Sequence, residues 1–99
     1  MTRFCFRTCQ SVSCTWSIKT DATVRTHLIN FNLGEEVDDF SMDRRRVKTI
    51  FTRPSQNRLV EQQFGKRVNT TLVRDFFEDR MEVSMYVNDV TAYSVFLRE

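Results

Sequence analysis

The sequence predicts an all-β protein, an antiparallel up-and-down meander. Three observations carry that prediction. Apolar and polar residues alternate through short segments from Trp16 onward, the period of a pleated strand rather than of a helix. β-Branched and aromatic residues dominate those segments, and such side chains suit strands better than helices. Turn formers such as Pro54-Ser55-Gln56-Asn57, Gly65-Lys66 and Asn88-Asp89 punctuate them at spacings of about eight to twelve residues, as in all-β sheets.

Eight strands follow in order. Residues 16–23 and 25–32 form a first pair, and Asn32-Leu33-Gly34-Glu35 is a turn. Residues 37–41 form a short strand. Residues 46–53 form the next, stopped by Pro54, which cannot donate to a ladder. Residues 58–64, 68–76, 80–87 and 90–97 complete the set. With only two Gly and one Pro in the chain, several hairpins must turn on Asn and Asp instead. Residues 2–9 alternate Arg3, Cys5, Arg7 and Cys9 against Phe4, Phe6 and Thr8, the pattern of one further strand. An eight-stranded open sheet leaves reactive edges, so it must close or cover them. A closed barrel of this size has a packed interior or room for one small ligand.

Composition narrows the functional classes. The 99 residues suit one core. Residues 1–15 are Cys-, Ser- and Thr-rich, and residues 16–99 are rich in Val, Phe, Thr and Arg. Fifteen cations against thirteen anions give a net charge of +2, too small a bias to point to nucleic acid. Arg44-Arg45-Arg46 is the one charge run, read as a solvated turn. No apolar stretch approaches a membrane span, and the start does not read as a secretory signal. Cys5, Cys9 and Cys14 cluster at the start of the chain. Their spacing fits no common zinc pattern, and an odd number makes a poor disulfide framework. We therefore expect free thiols, no metal, no cofactor and a cytoplasmic location. His27 is the only His and lies near no obvious Ser or Cys partner. The carboxylates fall in turns rather than as an inward pair, so no enzymatic reaction is expected.

The stretch Leu33-Gly34-Glu35-Glu36-Val37-Asp38-Asp39, followed by Asp43-Arg44-Arg45-Arg46-Val47-Lys48-Thr49, resembles the middle strands of the intracellular fatty-acid-binding proteins. Ile18-Lys19-Thr20-Asp21-Ala22-Thr23 and Ile29-Asn30-Phe31 look like that family's third and fourth strands. Leu59-Val60, Thr70-Thr71-Leu72-Val73-Arg74, Met81-Glu82-Val83 and Asn88-Asp89-Val90-Thr91 track its last four. The resemblance covers about residues 16–99. It implies a flattened, calycin-like (lipocalin-like) ten-stranded barrel with a water-filled cavity closed by a helix–turn–helix lid, carrying a fatty acid. The family's first strand, lid and second strand have no counterpart in residues 1–15, which predicts an incomplete barrel open by two strands.

The resemblance also suggests the site. The family holds the ligand carboxylate with an Arg on the eighth strand, retained as Arg74, and an Arg-x-Tyr on the tenth. The latter is replaced by Ser94-Val95-Phe96. Arg74 shares a strand face with Leu72 and Phe76. A buried, unpaired guanidinium is costly, and ordered water with an anionic head group would relieve it. The competing reading is an outward Arg74 paired with Asp75 or Glu82. Asp43 and Arg45 match a family pair facing the cavity; otherwise they form a surface salt bridge. Val24, Met42, Met81, Val83 and Met85 match pocket-lining or portal positions; otherwise they are ordinary core. Losing the second Arg removes about 1.5–3 kcal/mol of charge-assisted hydrogen bonding, roughly tenfold to a hundredfold in affinity for a carboxylate. A neutral lipid or retinoid is therefore an alternative cargo. The expected partner is a long-chain fatty acid or related hydrophobic molecule, with transient membrane contact. The expected state is a monomer, the alternative being a non-binding form that self-associates through open edges.

Overall fold

The computed structural model describes residues 2–8, 15–22, 26–40 and 45–99. Its elements are β1 (Arg3–Arg7), β2 (Trp16–Asp21), β3 (Thr26–Phe31), β4 (Glu36–Phe40), β5 (Arg46–Ser55), β6 (Arg58–Phe64), β7 (Asn69–Phe76), β8 (Arg80–Val87) and β9 (Val90–Arg98). No described residue is helical. The strands form one sheet in the order β3-β2-β1-β9-β8-β7-β6-β5-β4. The sheet curls into a nearly closed barrel whose one unsealed seam lies between β3 and β4.

The alternation legible in the sequence sets which face turns inward. Along β7, Thr70, Leu72 and Arg74 are buried while their neighbours are not. Along β6 the buried set is Leu59, Glu61 and Gln63. Directly opposed residues share a face, so the register propagates this choice: Glu61 faces Leu72, Leu59 faces Arg74, and Arg74 faces Val83. The core gathers Phe4, Ile18, Ile29, Phe31, Phe51, Leu59, Met81 and Val83. Its aromatic rings pack in a chain: Phe6 on Phe76 at 4.5 Å, Trp16 on Phe31 at 6.4 Å and Phe31 on Phe51 at 3.9 Å between centroids. The last contact ties β3 to β5 across the seam.

The N-terminal segment supplies the one further strand that its alternation predicted: β1 inserts between β2 and β9, and the barrel stays incomplete at one seam. Each turn in a meander reverses the chain, so the first and ninth strands run the same way. The β1–β9 pairing is accordingly parallel, and every other pairing is antiparallel. It joins only Arg3 to Leu97 and Phe4 to Arg98 in register. Among the described residues the earlier part of β9 has no ladder partner on that side, and Val90 and Tyr93 are well exposed.

Two turns carry the expected chemistry, and one strand end does not. Gly34 adopts φ +79° between β3 and β4, a left-handed conformation that glycine enters without steric cost. Its N–H donates to the Phe51 carbonyl at 2.8 Å. Asn88, at φ 53°, supplies the same conformation in the β8–β9 turn, as the scarcity of Gly required. Pro54 does not stop its strand: β5 runs on to Ser55. The pairing shifts register between Thr52 and Ser55, and such an irregularity is where a strand can hold a residue with no N–H.

Candidate ligand-binding site

Arg74 is the centre of the polar interior. Its register puts it between Leu59 and Val83, and it is 6% exposed. It points inward, because the Leu72 and Met81 positions flanking this face are buried as well. The outward alternative fails on partners also, since Asp75 pairs with Arg58 and Glu82 with Arg80. The guanidinium is not left alone, however. Nη1 lies 2.8 Å from Glu61 Oε1, and the ring of Phe51 sits under the Arg74 Cζ at 5.8 Å.

Glu61 was not foreseen, and it corrects the expectation that carboxylates fall only in turns. It sits in mid-strand with a side chain 1% exposed. Thr49 Oγ1 donates to its Oε2 at 2.9 Å and Gln63 Nε2 to the same oxygen at 3.0 Å. The Oε1 of Glu61 and Nη1 of Arg74 carry no hydrogen bond despite their closeness, so they meet as charges off the N–H direction. The signal was present in Leu59-Val60-Glu61-Gln62-Gln63, where position 61 shares a face with Leu59.

A second inward acid–base pair bridges the seam. His27 Nε2 and Asp39 Oδ1 are 3.0 Å apart, joining β3 to β4 where no ladder does. The hydrogen bond to Asp39 holds the imidazolium and raises the His27 pKa above its usual value. Burial opposes this, the charges of Asp39 and Glu61 add to it, and that of Arg74 subtracts. Asp39 Oδ2 is buried without a hydrogen-bond partner.

The remaining expected site residues separate into groups. Leu72 and Val83 are buried beside Arg74, and Met85 is half-buried against the core. Ser94 faces Val83 across the β8–β9 ladder, yet is exposed. Phe96 faces Met81 and packs on the core. Arg45 precedes β5 and is exposed, so the structure does not bring it to Arg74. Val24, Met42 and Asp43 lie outside the described residues. At one end of the barrel a groove of about 570 Å³ is lined by Phe6, Phe76 and Phe77 with Arg53, Glu78 and Arg98. None of these was a sequence candidate. Arg98 spends its donors on the Phe77 and Glu78 carbonyls, and Arg53 donates to the Gln56 carbonyl. Among the described residues no cluster of three metal-binding side chains occurs, and Cys5 is a free thiol.

Comparison with known proteins places this geometry in context. No family model matches the chain. A fatty acid-binding protein of Tyrophagus putrescentiae is 36% identical over 84 residues, covering 85% of this chain and 63% of that protein. Human cellular retinoic acid-binding protein 2 is 36% identical over 89 residues, covering 86% of this chain and 64% of its own length. The Schistosoma mansoni fatty acid binding protein, solved in complex with arachidonic acid, superposes with a TM-score of 0.83 at 27% identity. That match takes in 97% of this chain and 69% of that one. The chain thus spans about three-fifths of the length of the curated relatives it matches.

Proposed function

On the premise that the chain is a relative of the fatty-acid-binding proteins in both sequence and fold, we propose that it binds and carries a fatty acid or similar hydrophobic molecule in the barrel interior, inside the cell. One observation carries the reading: a guanidinium, Arg74, buried on an apolar inward face between Leu72, Phe51 and Val83. Such a group is expensive to bury for structure alone, and it gives an amphiphile's head a fixed polar partner while the tail meets aliphatic and aromatic side chains. Half-buried Met85 adds soft, adaptable surface for varied tails. No reaction is proposed, since the inward His27 faces a carboxylate and not a nucleophile.

The test is a titration of the purified chain with oleate and with oleyl alcohol, followed by the fluorescence of its single tryptophan. Trp16 is half-buried, close to Phe6 and Phe31, so filling the interior should change its emission. A saturable change with about one ligand per chain supports carriage. No saturable change with either ligand at micromolar concentrations refutes it.

A further inference from the structure

We propose that the interior site selects an uncharged head group bearing both a donor and an acceptor, such as a primary alcohol or primary amide, over a carboxylate, and that Glu61 sets this preference. The inference rests on the carriage reading above and specifies the cargo.

Three observations converge on it. Two adjacent polar atoms in the interior, the donor Arg74 Nη1 and the acceptor Glu61 Oε1, are buried without hydrogen bonds. A hydroxyl can donate to Glu61 Oε1 and accept from Arg74 Nη1 at once, whereas an ionised carboxylate has acceptors only. Glu61 cannot readily turn aside, because Thr49 and Gln63 both hold its other oxygen. A ligand carboxylate reaching Arg74 would therefore lie beside a fixed, buried negative charge in a medium that screens poorly. The local charge agrees: an uncharged head leaves the Arg74–Glu61 pair balanced, and an anionic one adds a second negative charge beside Glu61.

The experiment compares oleate, oleyl alcohol and oleamide at pH 8 in the wild-type chain and in Glu61→Gln, with cooperative unfolding checked for each protein. The wild type should bind the alcohol and the amide at least about tenfold more tightly than oleate. Glu61→Gln removes the opposing charge, so oleate should tighten and the alcohol weaken, swinging the ratio by about tenfold or more. A wild type that binds oleate as tightly as the alcohol overturns the inference while leaving carriage standing. So does an unchanged ratio in a folded Glu61→Gln. If the variant does not fold, the wild-type ratio decides alone. If no ligand binds the wild type, carriage fails and this inference with it.

Discussion

An Arg74→Met variant strands Glu61 in the interior without its counter-ion. The two side chains are 8% and 1% exposed and 2.8 Å apart, so neither charge can be returned to bulk water by a small rotation. Removing one partner of such a pair costs about 3–5 kcal/mol. A domain of this size holds roughly 5–15 kcal/mol in total, so the single variant loses about a third or more of a typical margin. At about 4–8 °C per kcal/mol, the midpoint of thermal unfolding should drop by at least ~12 °C. Glu61→Leu should cost a similar amount for the opposite reason. The double variant buries two apolar side chains and leaves chiefly the Gln63 amide without its acceptor, because the Thr49 hydroxyl also reaches the Gln62 carbonyl at 3.1 Å. That residual penalty is about 1–3 kcal/mol. Urea unfolding of the four ligand-free proteins gives the cycle. The coupling between the two sites should reach at least about 3 kcal/mol and persist in high salt, since buried pairs are poorly screened. Single variants that each cost under about 1 kcal/mol, or a double variant equal to their sum, would refute a buried ion pair.

Two further outcomes follow from the same interior. Phe51 is fully buried, stacks on Phe31 at 3.9 Å and lies under Arg74, so Phe51→Ala should cost about 3–5 kcal/mol in urea unfolding; a loss under about 1 kcal/mol would mean the site collapses freely. His27, with its pKa raised in the folded state chiefly by the Asp39 hydrogen bond, contributes stability that is complete below its unfolded value of about 6.5. That stability fades as pH climbs through the higher folded value. The urea midpoint should therefore fall across the pH range just above about 6.5, and His27→Gln should flatten that slope. An equal slope in the variant would assign it to other groups.

The strand pattern was legible because alternation, β-branched content and Asn or Asp turns are local properties. Strands 58–64 and 80–87 match their observed bounds, Arg58–Phe64 and Arg80–Val87. The extra N-terminal strand was legible from its alternation, but its place was not, because that depends on the register of β1 against both β2 and β9, a long-range choice with no local signature. Pro54 misled for a related reason: whether a strand tolerates a missing N–H depends on its neighbour's register at that point. In the site, Leu72 and Phe76 on the same face left inward and outward readings of Arg74 both open, and the family resemblance favoured the inward one. The partner of Arg74 could not be read: the face shared with Leu59 marked Glu61 as inward, but which cation it meets depends on the register of β6 against β7.

Among the described residues, four inward ionisable groups come from four strands, His27 from β3, Asp39 from β4, Glu61 from β6 and Arg74 from β7. Each pair does a different job. His27 and Asp39 bridge the one seam that the ladder leaves open, and Glu61 and Arg74 fix the polarity of the interior. The pairs are not independent, because the charges of both Glu61 and Arg74 act on the His27 titration, in opposite directions. Neutralising Arg74 alone therefore makes the interior more negative and favours the imidazolium at the seam, whereas neutralising Glu61 alone disfavours it. A head group that adds net charge would shift the same balance, and one that adds none would leave the seam as it is. Head-group selection and the bridging of the seam thus draw on a single electrostatic field.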